Sequence, residues 1–149
     1  SEKGAMGLIL NRPTRIAAAS LFSDTPSLKE RRDKVFWGGP VEAGAVLVLV
    51  RSQAPIEGAQ RVTGDIYLIN SKVSLEKLQT AGTPSRVYAG YAGWGAHQLK
   101  QEKKLGAWHV LDADAKWVFA DDTDAVWEKL IQRTDVYLAG AGFPVWFRK

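Results

Sequence analysis

The sequence contains no cysteine, a single methionine (Met6) and only two histidines, His97 and His109. Without cysteine there is no disulfide, no thiolate nucleophile and no thiolate zinc site. No apolar run approaches the roughly 18 residues needed to cross a bilayer as a helix, and no secretory leader pattern opens the chain. Charge of one sign is also scarce. The net charge is +4 over 149 residues, and the cations are dispersed apart from one knot at Arg31, Arg32 and Lys34 and another at Lys100, Lys103 and Lys104. Runs this short are the solvated face of a globular protein rather than a nucleic-acid arm. Hydrophobic residues at 46% and charged residues at 24% describe an ordinary soluble chain with one core. A single cytoplasmic domain is the expectation; what precedes Ser1 and the oligomeric state are left open.

What is present is rich in β signals. Ala5–Leu10 is apolar without polar alternation, the pattern of a strand buried on both faces, and Pro13 is expected to stop it. Ile16–Phe22 suits a short helix, and Ser23–Lys34 reads as a loop. Val35-Phe36-Trp37 is a strand running into a compact turn at Gly38-Gly39-Pro40. Ala45–Val50, AVLVLV, is the clearest strand in the chain. Arg61–Ile69 alternates around Gly64-Asp65 and predicts either a hairpin or one bulged strand. Ser74 would cap a helix over Leu75–Thr80, with Gly82 at its end.

Val87–Ala92 is the next strand and Ala96–Lys104 a helix closed by Gly106. Trp108–Leu111 and Trp117–Phe119 read as strands joined through Asp112–Ala115. Asp121 or Asp122 caps a last helix over Thr123–Arg133, with Trp127, Leu130 and Ile131 as its buried face. The tail from Val136 either docks or hangs free. Together these elements predict one α+β domain, its sheet mixed but largely antiparallel, with short flanking helices.

The most pointed chemical signal is Arg86–Val110, where Gly90, Gly93 and Gly95 stand between a strand and a helix. The dinucleotide fingerprint needs G-x-G-x-x-G, and here the order is G-x-x-G-x-G, with Trp94 where a pyrophosphate needs room. No Gly-Lys-Ser/Thr follows, so a P-loop is excluded as well. The glycines therefore read as turn formers, as do Gly38, Gly39 and Pro40. No serine sits in a G-x-S-x-G elbow, and neither histidine has a local catalytic partner. A calcium loop counted from Asp112 would need Gly and Glu where Trp117 and Thr123 stand, so the acids are turn residues and caps. No metal or cofactor is expected. Six tryptophans and scattered lysines could stack bases, but no nucleic-acid-binding signature accompanies them.

Three motifs occur in one order: GAMGLILNRPT (Gly4–Thr14), VFWGGPVE (Val35–Glu42) and GYAGWGAHQLKQEKKLGAW (Gly90–Trp108). On these the chain resembles the YqgE/AlgH family of small, mostly bacterial proteins, over essentially its whole length. His97 replaces a small residue usual in that family, and Ile69-Asn70-Ser71 a Thr-Thr-Ser-like segment. The resemblance implies an α+β fold with a β-rich core. It brings no catalytic residues, no established activity, and a description as transcriptional regulator without a recognisable DNA-binding motif. Motif residues more polar or exposed than folding requires are Asn11, Arg12, Trp94, Gln98 and Glu102, expected to gather around the Gly93–Gly95 turn. They suggest a non-enzymatic protein that binds a protein or small ligand, with a regulatory role. An enzyme of hydrolase type with an unrecognised site, or a DNA-binding regulator, are the alternatives.

Overall fold

Seven strands form one mixed sheet in the computed structural model, which describes residues 3–22, 29, 31–71 and 83–141, with side chains in the last helix described as far as Thr134. In chain order they are β1 (Ala5–Gly7), β2 (Pro13–Ala17), β3 (Lys34–Trp37), β4 (Val41–Arg51), β5 (Gln60–Thr63), β6 (Ile66–Ile69) and β7 (Ser85–Trp94). Helices α1 (Gln98–Lys104), α2 (Ala115–Val118) and α3 (Asp124–Ala141) follow. The strand order is β2-β3-β7-β4-β6-β5, with β1 paired to the far end of β7. Only β3 and β7 run parallel; the other pairings are antiparallel. The α+β class and the mixed, largely antiparallel sheet are as the sequence predicts.

The AVLVLV run is apolar throughout because successive side chains point to opposite sides of a sheet covered on both. Val48 and Val50 join Ile69, Val87, Val35, Ala18 and Phe22 in one core cluster. Leu47 and Leu49 join Phe36, Ile66, Leu68, Tyr88 and Val118 in the other. Arg61–Ile69 is the hairpin form of the expected pair, turning at Gly64-Asp65.

Several elements differ from expectation. Only Ala5–Gly7 of the first apolar run is a strand, and Met6 is 48% exposed, because β1 lies on the periphery beside β7 alone. Pro13 opens a strand rather than ending one: β2 is an edge strand, where a missing N–H costs little. Ile16 and Ala17 finish that strand, and the helix expected there shrinks to a 3₁₀ turn, Ala18–Leu21. The strands expected at Trp108–Leu111 and Trp117–Phe119 are absent. Residues 107–114 have no regular structure, and Ala115–Val118 is a helical turn capped by Asp114, whose Oδ1 accepts the Lys116 N–H at 2.9 Å. A short apolar run has no period of its own, and the cap decides. In α3, Asp122 Oδ1 accepts the Ala125 N–H at 3.1 Å, but the helix runs on to Ala141. Its buried stripe is Val126 and Thr134, beside Thr123, and Trp127 is 43% exposed. The helix expected over Leu75–Thr80 and the tail beyond 141 lie outside the described residues.

The centre of the sheet is pinned by a main-chain crossing. Gly90 has φ +67°, and a Cβ there would lie 2.5 Å from the Gly39 carbonyl oxygen. A Cβ on Gly38 would overlap the carbonyl of Gly90 in turn. Opposite, pairing jumps from Val41↔Tyr91 to Val46↔Ala89, so residues 42–45 of β4 bulge out and Glu42 takes φ 46°. Gly93, by contrast, has no positive φ, and a Cβ would meet nothing nearer than Val41 Cγ2 at 3.5 Å. Gly90→Ala is therefore expected to cost about 2 kcal/mol or more and Gly93→Ala less than about 0.5 kcal/mol in urea unfolding; equal effects would contradict the crossing.

The hairpin carries a pH dependence. Arg51 Nε donates to Asp65 Oδ2 at 2.6 Å and Gln53 Nε2 to the same oxygen at 3.2 Å; the Arg51 bond holds the carboxyl below its ordinary 3.8. A group that ionises more readily folded than unfolded adds stability above its unfolded pKa and loses it as pH falls through the lower folded value. Asp65→Asn should thus flatten the loss of melting temperature below about pH 4, relative to wild type.

Candidate functional site

The end of β7 hands the chain to α1 through a side-chain relay. The Gly95 N–H donates to Gln98 Oε1 at 3.0 Å, and Gln98 Nε2 donates to Glu102 Oε1 at 3.0 Å. Trp108 Nε1 donates to the other oxygen, Glu102 Oε2, at 2.8 Å. The Trp108 ring meets Trp94 edge-on, 5.5 Å between centroids, which closes the circuit back onto β7. Gln98 and Glu102 are four residues apart on a helix and so share one face.

The return of Trp108 follows from the helix end. Gly106, with φ +77°, donates its N–H to the Lys103 carbonyl at 3.1 Å, and Ala107 donates to Glu102 at 2.9 Å. This paired closure reverses the chain and lays Trp108 against Glu102. Gly95 forms the turn into α1, accepting the Gln98 N–H at 3.2 Å, whereas Gly93 still belongs to β7. Beneath the Trp94 ring lies Gly7, where a Cβ would come within 3.1 Å of the indole.

The five expected residues fall into two groups. Trp94, Gln98 and Glu102 share the relay. Asn11 and Arg12 sit in the bend before β2, where Arg12 packs over the Trp37 ring at 5.2 Å and its carbonyl accepts the Trp37 N–H at 2.8 Å. Trp108 was not among the expected site residues; the signal for it was Gly106, read only as a helix stop.

Among the described residues no group of three or more acidic or histidine side chains is placed to hold a metal, and no helix is long and apolar enough to cross a membrane. His97 is exposed and holds the left-handed φ of 64° at the start of α1.

None of the residues of α1 is buried, and Leu105 just beyond it is 83% exposed. Only Leu99 and Glu102 are half-buried, so the helix is held mainly by polar bonds. Glu102→Gln keeps the length but replaces one acceptor with a donor facing an indole N–H. Hydrogen exchange across residues 98–104 should accelerate roughly 5- to 30-fold, the effect of about 1–2 kcal/mol, with the global melt little changed. Unchanged protection there would show the relay to be idle.

The AlgH-like family profile matches residues 1–139. A UPF0301 protein of Streptomyces avermitilis is 33% identical over 89% of this chain and 72% of its own length. One from Shewanella loihica is 31% identical over 98% of this chain and 79% of its own. The solution structure of the AlgH protein from Pseudomonas aeruginosa superposes with a TM-score of 0.71 at 27% identity, covering 97% of this chain and 82% of that one. A crystal structure of a Corynebacterium diphtheriae protein, 23% identical, shares the fold with a TM-score of 0.72, covering 89% of this chain and 72% of that one. With sequence and fold in agreement over nearly its whole length, the chain belongs to the AlgH-like family.

Proposed function

We propose that this chain is a non-enzymatic regulatory protein that binds a protein partner through the corner formed by Trp94, α1 and Trp108. The observation that carries this reading is a helix with no buried residue that is nevertheless fixed by three side-chain hydrogen bonds and a tryptophan pair. A surface element that contributes little to the core but is held in one geometry is pre-organised for contact, which lowers the ordering cost of association. Its exposed side carries Lys100, Lys103 and Lys104 next to Leu105. That combination suits a partner with an acidic rim around an apolar contact. Both oxygens of Glu102 accept hydrogen bonds, which favours a positioning role for it over proton transfer.

The test is affinity capture with immobilised wild type beside Leu105→Asp and a Lys103→Glu/Lys104→Glu double variant. Wild type should retain one protein stoichiometrically, and both variants should retain it at least about tenfold less at an unchanged melting temperature. Identical capture by all three, or none by wild type, would refute the reading.

A further inference from the structure

A cleft of about 460 Å³ opens between the starts of β3 and β7 and the approach to α3, away from the α1 corner. Phe119, Pro13 and Pro84 give it apolar walls, and Arg86 lines it. Arg86 is 8% exposed and lies over the Phe36 ring at 4.3 Å. It donates through Nη1 to the carbonyls of Val118 (2.7 Å) and Leu10 (3.4 Å), and through Nη2 to that of Ala120 (2.6 Å). A guanidinium has five N–H donors. Three are used in these bonds, which leaves Nε–H and a second Nη2–H with no carbonyl or carboxylate acceptor among the described residues and only the Tyr88 hydroxyl nearby. All its acceptors are neutral carbonyls, and no carboxylate among the described residues pairs with it. Buried charges are ordinarily paired. On the same face of β7, two residues on, the buried Tyr88 hydroxyl lies near this guanidinium, whose charge opposes the rise to about 12 that burial imposes, yet the hydroxyl makes no well-formed hydrogen bond among the described residues.

The other charges at the cleft narrow the ligand. Asp33 is neutralised by Arg31, whose Nε and Nη2 reach its two oxygens at 2.8 and 2.5 Å. Lys34 and Asp121 stand exposed at the mouth, one of each sign. A multiply charged anion would meet Asp121, and a wholly apolar one would leave Arg86 unpaired.

We infer that this cleft binds a small organic monocarboxylate, its carboxylate on the unused N–H groups of Arg86 and its apolar body against Phe119 and the two prolines. The site is independent of the α1 corner, and it stands or falls without a protein partner. Titration of the full chain with benzoate, followed by NMR at the Arg86 Nε–H, should give a saturable shift that benzamide and inorganic phosphate do not reproduce. Arg86 itself is a poor target because it also holds three carbonyls, so the variants are at the exposed mouth. Asp121→Asn should tighten benzoate about two- to fivefold and Lys34→Glu weaken it by a similar factor. No shift with benzoate, an equal shift with benzamide, or indifference to both mouth charges would overturn the assignment.

Discussion

Where β7 passes under the Gly38-Gly39 turn, two main chains approach to a distance that no side chain could share, and the geometry of the whole sheet is adjusted around that contact. Gly90 takes a left-handed conformation, and β4 bulges over residues 42–45 to stay paired on either side of it. Past the bulge the register resumes only at Val41↔Tyr91, and the remaining length of β7 is taken by β1. The strand therefore serves two neighbourhoods: a core half between β3 and β4, and an outer half that carries Trp94 and α1.

A second constraint acts at the other end of the same strand. Arg86 ties β7 to the loop at Leu10 and to the segment around α2 by donating to carbonyls that no regular structure satisfies. Loop carbonyls buried without a partner would cost about 1–3 kcal/mol each, so one long cation does the work of several backbone ladders. Residues 107–120, which contain no strand and only the one helical turn of α2, are held by such side-chain bonds in place of sheet pairing.

Legibility in the sequence follows the same division. Runs buried on both faces, such as Leu47–Val50 and Ile66–Ile69, announce themselves by composition, and the class of fold followed from them. Trp117-Val118-Phe119 looked equally β-like, but a single aspartate cap and the chain reversal at Gly106 outweighed its propensity. Trp127, Leu130 and Ile131 share the i, i+3, i+4 spacing of one face, but that face is only partly covered, and the buried positions are Val126 and Thr134. Gln98 and Glu102 were visible as polar motif residues at helical spacing. Their third member was hidden because Trp108 reaches Glu102 only after a helix end whose geometry is set by two main-chain bonds. Arg86 gave no signal at all: a lone cation in a strand reads as a surface residue until its neighbours are known.

The placement of β7 between β3 and β4 has a bearing on how the chain reaches this state. β3 and β4 are joined by three residues, Gly38-Gly39-Pro40, yet they never pair with each other. Phe36 instead lies beside Tyr88, 52 positions further on. Contacts that close shorter loops are expected to form first, so the β4–β6–β5 group, a β5–β6 hairpin with β6 laid against β4, is expected to precede the arrival of β7. During that interval β3 and β4 are adjacent strands with a turn between them and a vacancy where the central strand belongs. A direct β3–β4 hairpin is then the nearest wrong structure, and insertion of β7 is the step that separates productive folding from it.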